Sequence, residues 1–380
     1  MSFYQEWERA AQLDPLPGIL ALGPDDVERA LSRLAGSGRR ELADFAALIS
    51  PAAEDYLLPM SELSQKLTRQ RFGNTISMYL PLYLANHCAN DCSYCGFSAK
   101  NKIKRKVLSA NEVDLECRHI AAMGFKSLLL VTGEHERMSG MAYFREVLPV
   151  IKPYVSYLMM EVQPLSADDY RELVGLGLDG VMVYQETYDR TLYERHHLHG
   201  RKKDFRWRLE TPDRLGEAGV DKIGLGALLG LGDWRTDSLM VARHLRYLRS
   251  RYWKSRYSLS FPRLRPCAGD FQPQSPVTDR QLLQLICAYR LFDPEVELSI
   301  STREGPAFRD FLMKVGITTM SAGSSTQPGG YASGGRELEQ FAISDERSAE
   351  QVAAVIRRQG MEVVWQDASA QHWPQSSAPG

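Results

Sequence analysis

The spacing of hydrophobic positions changes near residue 73. Before it, apolar residues recur at helical intervals. Asp25-Asp26-Val27-Glu28 opens a helix with an acidic first turn, residues 41–49 carry a second to a stop at Ser50-Pro51, and residues 59–71 form a third. From Thr75 onward, short continuous apolar runs alternate with longer amphipathic segments. The runs predict strands at 77–86, 127–133, 157–163, 180–186, 222–231, 257–265, 297–303 and 318–324. The intervening segments predict helices at 111–123, 142–151, 167–176, 212–218, 237–251, 279–292 and 306–314, with a last one at 346–359. Ser109 before Glu112, Ser166 before Asp169 and Thr278 before Gln281 read as capping boxes. Gly124, Gly177, Gly219, Gly316 and Gly360 read as helix ends.

Long returns between strands imply parallel pairing, and continuous apolar runs imply strands buried on both faces. Eight strand–helix units are the number that closes a barrel. The expected fold class is therefore α/β, a (β/α)8 TIM-type barrel over residues 73–370. Residues 1–72 would form an N-terminal helical extension, and residues 371–380 a disordered tail. A doubly wound open sheet is the alternative, but no G-x-G-x-x-G follows the first strand.

Composition narrows the partners. The 380 residues are 44% hydrophobic and 24% charged, with a formal net charge of −1 and no extended basic block. Neither nucleic acid nor a membrane surface is favoured by that balance. The first twenty residues include Glu6, Glu8, Arg9 and Asp14, which do not suit a signal peptide, and no run of eighteen apolar residues occurs. A reducing cytoplasm is the expected compartment, which keeps cysteines as thiols.

Candidate chemistry gathers at the strand ends, where barrels of this type place it. The first run leads into Cys88-Ala89-Asn90-Asp91-Cys92-Ser93-Tyr94-Cys95, which holds half of the chain's six cysteines. Later runs end at Thr132-Gly133-Glu134-His135, Glu161-Val162-Gln163, Tyr184-Gln185-Glu186, Arg263-Leu264-Arg265, Thr302-Arg303-Glu304 and Ser321-Ala322-Gly323-Ser324. Three cysteines leave one iron of a cubane cluster open for a small molecule, because such a cluster takes four ligands. His87 could instead complete a Cys3His zinc site.

C-x3-C-x2-C with Tyr94 before its last cysteine resembles the signature of the radical S-adenosylmethionine superfamily. Gly133-Glu134 is similar to that superfamily's contact to the methionine amino group. Residues 160–165 (MEVQPL), 184–188 (YQETY), Asp204-Phe205, 261–266 (FPRLRP), 300–304 (ISTRE), 320–324 (MSAGS) and 328–331 (PGGY) further resemble the 2-iminoacetate synthases, tyrosine lyases of thiamine thiazole synthesis. The resemblance spans most of residues 70–370. Two relatives share parts of it. The maturase of iron-only hydrogenase carries further C-terminal cysteines, whereas none follows Cys287 here. A tryptophan lyase would share the cluster and the carboxylate anchor.

The resemblance implies roles. Cys88, Cys92 and Cys95 would hold a 4Fe-4S cluster whose fourth iron takes S-adenosylmethionine. Tyr94, Glu134, Glu161 and Glu186 would bind that cofactor, the carboxylates accepting from its ammonium and ribose hydroxyls. Arg208 would pair with its methionine carboxylate. Arg303 would anchor the carboxylate of L-tyrosine with Ser321 beside it, and Tyr83 would lie near the substrate amine. The bland alternatives are ion pairs within the barrel mouth for the charged residues, such as Arg303 with Glu304, and packing for Tyr83. Thiazole synthase and a flavodoxin-type electron donor are the implied protein partners. A non-enzymatic alternative is a zinc-stapled scaffold for such partners.

Three further features are read as structural. His196-His197-Leu198-His199, flanked by Arg195 and by Arg201 to Lys203, is expected to be a solvated loop rather than a metal site. Cys117 and Cys287 are expected to be buried small hydrophobes, and Cys267 a neighbour of the barrel mouth. The glycine-rich stretch 327–335 reads as a plain connection, with a lid as the alternative.

Overall fold

The alternating runs close into a barrel. A computed structural model of the chain describes residues 2–36, 38–266, 271–332 and 338–366. The barrel strands are β1 (Thr75–Ala85), β2 (Ser127–Thr132), β3 (Tyr157–Glu161), β4 (Gly180–Met182), β5 (Lys222–Leu225), β6 (Arg256–Ser260), β7 (Glu297–Ile300) and β8 (Thr319–Ser321). Each pairs in parallel with the next, and β8 returns to β1 with Ser77 opposite Thr319 and Tyr79 opposite Ser321. This is the closed barrel expected from the sequence. An unanticipated ninth strand, β9 (Glu362–Val364), pairs in parallel with the first residues of β1.

Side chains alternate across β1 as a pleated strand requires. Leu80, Leu82 and Leu84 are fully buried in the core between strands and helices. Tyr79, Pro81 and Tyr83 point the other way and line the barrel's interior cavity. The eight helices predicted after the strands all form, within a few residues of their expected bounds. Ser109, Ser166 and Thr278 cap theirs as capping boxes. Gly124 and Gly219 take φ of 88° and 76°, a conformation that costs glycine little.

The N-terminal helices pack on the outside of the barrel's helical layer. Residues Leu42–Leu48 and Leu57–Phe72 lie against the helix Asp279–Phe292. Gln284 donates to the carbonyls of Leu48 and Ser50, and Trp7 donates to the Tyr188 carbonyl. The segment 371–380, expected to be a tail, lies outside the described residues.

Strands stop short of their apolar runs. Continuous pairing stops at Met182 in the run 180–186 and at Leu225 in 222–231, leaving isolated parallel bridges at Glu186–Ala227 and Leu229–Arg263. Beyond those points the backbone bonds singly, as in Leu228 N to Glu186 O at 2.8 Å and Leu229 N to Pro262 O at 2.8 Å. The overruns are loops buried at the barrel mouth. Burial keeps them apolar, while freedom from the ladder lets alternate residues aim polar groups inward.

One buried ion pair ties β8 to the segment that follows it. Arg309 is wholly buried, and its guanidinium donates to Asp345 and to the Ser321 carbonyl. Asp345 also accepts from Arg347 at 2.7 Å. Removing one partner strands a buried charge. Asp345→Ala should therefore lower stability by about 3 kcal/mol, read as a lower denaturation midpoint.

Candidate active site

All eleven sequence-predicted site residues line one cavity at the C-terminal ends of the strands: Tyr83, Cys88, Cys92, Tyr94, Cys95, Glu134, Glu161, Glu186, Arg208, Arg303 and Ser321. Cavity walls of this kind mix apolar surface with a few convergent polar groups.

The cysteine loop is stapled at its base. Arg105 donates to the carbonyls of Asn86, Phe97, Ser98 and Asn101 at 2.6–3.2 Å. Ala89 N bonds Glu134 O at 2.9 Å, and Asp91–Cys92 forms a short antiparallel ribbon with His197–His199. Gly133 sits so close that a Cβ there would fall 2.2 Å from the His87 carbonyl oxygen and 3.2 Å from Cys88 Cβ. A side chain at 133 would displace the loop.

The three cysteines fit a cluster. They are free thiols on one loop, facing one cavity. Burial pushes Cys88 up to about 11 and Cys92 well above the ordinary thiol range. Thiolates there require a compensating positive charge, which iron supplies.

Arg208 organises the carboxylates beside the loop. It is 6% exposed. Its Nη1 meets Glu134 at 2.9 Å, its Nη2 meets Glu186 at 3.5 Å, and its Nε donates to the Tyr184 carbonyl at 2.7 Å. Asn90 donates to the other Glu134 oxygen at 2.8 Å. Glu186 takes a φ of 71°, the one non-glycine residue in that region among those described. Such a backbone persists only when its surroundings fix it. Here Lys202 Nζ holds the Glu186 carboxylate at 2.6 Å. The ion-pair alternative raised for Arg208 is thus realised inside the cavity wall, and the same pairing fixes Glu134 and Glu186 in place.

Glu161 and Arg303 are different. Among the described residues the Glu161 carboxylate has no hydrogen-bond partner, and burial pushes it up to about 7, with Arg303 partly opposing. Arg303 has no carboxylate at ion-pair distance among the described residues. Its guanidinium lies 3.5 Å from the centre of the Phe341 ring. Glu304, the neighbour considered as its partner, is 1% exposed and pairs with Arg263 and Arg265 instead. A fork-shaped cation is left facing the cavity.

Two family models match the chain. The Radical SAM superfamily covers residues 82–240, and the Biotin and Thiamin Synthesis associated domain covers residues 260–362. Over 343 residues the chain is 58% identical to the 2-iminoacetate synthase of Salmonella typhimurium, covering 90% of each. It is 59% identical, with the same coverage, to the 2-iminoacetate synthase of Escherichia coli K12. The chain belongs to the 2-iminoacetate synthase family. Its fold also superposes on the FeFe-hydrogenase maturase HydG from Carboxydothermus hydrogenoformans with a TM-score of 0.84. The two are 29% identical, and the match covers 96% of this chain and 84% of that one.

Within this barrel the histidine loop differs from expectation. His196 and His197 are buried, at 3% and 0% exposure, and only His199 of the three faces solvent. His197 Nδ1 lies 2.7 Å from the Tyr193 carbonyl and its Nε2 lies 2.7 Å from the Tyr94 hydroxyl. Burial pushes His197 down to about 2, so it is neutral, donates from Nδ1 and accepts from Tyr94. Flanking charges suggested solvent, but tertiary contact with the cysteine loop overrides them. Lys202, expected to be solvated with it, is turned inward to Glu186 and lies 5.8 Å from the centre of the Tyr94 ring.

Cys117 and Cys287 are fully buried as expected. Cys267 lies outside the described residues, as do residues 333–335 of the glycine-rich stretch. The described part is pinned: the Glu116 carboxylate accepts from Tyr331 N and Ala332 N, and Tyr331 OH donates to the Pro81 carbonyl. Asn90, Lys202, Gln340 and Phe341 also line the site, though the sequence motifs give them no role.

Glu161 carries a testable pH signature. Its folded-state value, raised from 4.5 to about 7, means the native state binds the proton more tightly than the unfolded chain. Stability is thus fully retained below about pH 4.5 and falls as pH rises through 7. Glu161→Gln should remove that fall and stabilise the cofactor-free protein by roughly 3 kcal/mol at pH 8. Melting temperatures of both proteins at pH 5 and pH 8 check it.

Proposed function

We propose that the chain cleaves the Cα–Cβ bond of L-tyrosine to give 2-iminoacetate and p-cresol, as a radical S-adenosylmethionine lyase of thiamine thiazole synthesis. One observation carries the reading: a single cavity lined by three free cysteines and by an arginine with no carboxylate partner among the described residues, in a chain of this family. A 4Fe-4S cluster on Cys88, Cys92 and Cys95 and S-adenosylmethionine are the cofactors. Bound there, the cluster would supply one electron and S-adenosylmethionine would supply hydrogen abstraction from the substrate amine, S-adenosylmethionine alone being consumed, as 5′-deoxyadenosine and methionine.

The protein's share is positioning. Arg303 takes the tyrosine carboxylate through a two-pronged hydrogen bond, its own plane held by stacking on Phe341. Ser321 at the end of β8 adds a hydroxyl beside it. Tyr83, packed edge-on against Phe97, borders the amine. Glu134 and Glu186, already oriented by Arg208, accept from the cofactor's ammonium and hydroxyls. Glu161 starts without a partner, so a bound cation there would pull its carboxyl back toward the ionised form. Gln340 and Phe341, from the chain after β8, line the site, and water must be kept from the imine because it would hydrolyse it to glyoxylate. Thiazole synthase receiving the imine and a flavodoxin-type electron donor are the proposed partners.

The reading is tested by anaerobic reconstitution followed by reductant, S-adenosylmethionine and tyrosine. Equal amounts of 5′-deoxyadenosine and p-cresol are expected. An indole product from tryptophan with no p-cresol from tyrosine would overturn the substrate, and one zinc with no iron or sulfide would overturn the cluster. Arg303→Ala should raise KM for tyrosine by about 100-fold, since the lost charge-assisted pair is worth roughly 3 kcal/mol. Steady-state p-cresol assays check that.

A further inference from the structure

Gln340 touches two functional groups at once. Its side-chain oxygen accepts from Tyr83 OH at 2.8 Å, and its Nε2 lies 3.8 Å from Cys95 Sγ. Its backbone is fixed as well. The amide N bonds Thr326 O at 3.0 Å, and the carbonyl packs so tightly on Gly96 that a Cβ there would fall 2.3 Å from it. The following residue, Phe341, is the one on which Arg303 stacks, and its carbonyl accepts from Thr326 Oγ1 at 3.0 Å. A cysteinate sulfur has no proton to give. Once Cys95 is ligated, the amide must turn its N–H to the sulfur and its oxygen to Tyr83, the orientation seen here.

We infer that Gln340 is a positioning residue that couples the cluster to the substrate pocket, donating to the Cys95 sulfur while holding the Tyr83 hydroxyl. The inference rests on the cluster reading above. A hydrogen bond to a ligating sulfur stabilises the more negative, reduced cluster. One electron enters from an external donor and no proton moves. Through its other end, the same amide fixes the Tyr83 ring beside the substrate amine. The amide thus makes cluster reduction and substrate placement depend on one side chain, carried by a segment that neither the cysteine loop nor β1 supplies.

The test compares wild type with Gln340→Met, which keeps the side chain's length and removes both polar ends, and Gln340→Glu, which keeps only the acceptor. Iron and sulfide content, the reduced-cluster EPR signal at a fixed dithionite concentration, and KM and kcat for tyrosine are measured on each. Both variants should show a reduced-to-oxidised ratio about tenfold lower than wild type, the worth of one hydrogen bond of roughly 1.4 kcal/mol. Gln340→Met should also raise KM for tyrosine, and Gln340→Glu should raise it less. Tyr83→Phe should leave the ratio within about twofold of wild type, because the bond to sulfur survives. Wild-type ratios in both Gln340 variants would overturn the inference. So would failure of both to retain iron, since a tuning residue is not needed for assembly. Absence of iron and sulfide from wild type would overturn the cluster reading instead.

Discussion

Closure of β8 onto β1 is the contact on which the site depends. Only three residue pairs make it, from Ser77–Thr319 to Tyr79–Ser321. They place Ser321 beside the strand that leads into the cysteines. The same closure delivers the chain after β8 to the barrel mouth, where Gln340 reaches Tyr83 and Cys95 and Phe341 reaches Arg303. Arg309 reinforces it from behind by joining the Ser321 carbonyl to Asp345. An open sheet of the same strands would keep every motif and lose the cavity.

Charge at the mouth is divided into two kinds. Arg208, Lys202, Glu134 and Glu186 neutralise one another in a network that also holds a strained backbone at Glu186. These groups are oriented before any ligand arrives, which limits the reorganisation that binding would need. Glu161 and Arg303 lack such partners among the described residues, and a half-buried charge without a paired counter-charge is costly. They are the groups with most to gain from a ligand that carries the complementary charge. A zwitterionic cofactor and an amino acid both supply ammonium and carboxylate.

Much of this was legible in the sequence because it is local. Apolar runs of strand length, capping boxes at Ser109, Ser166 and Thr278, and three closely spaced cysteines each follow from neighbours along the chain. Strand ends were read too long, since Val183 and Leu228 are as buried as strand residues and apolar content does not report pairing. His197 was misread for the opposite reason. Its basic neighbours suggest solvent, while its partner Tyr94 lies 103 positions away. Gln340 carries no local signal at all. Its importance comes from where closure puts it, which only the three-dimensional arrangement reveals.

In the proposed reaction the substrate amine faces the cofactor, with the carboxylate held by Arg303 and the amine bordered by Tyr83. The origin of the abstracted hydrogen tests this most directly. Turnover of tyrosine in deuterium oxide, where the amine hydrogens exchange, should give 5′-deoxyadenosine carrying deuterium. Turnover in ordinary water of tyrosine deuterated at Cα and Cβ should give none. Deuterium appearing only in the second experiment would mean that a carbon, not the amine, faces the cofactor, and would contradict the arrangement.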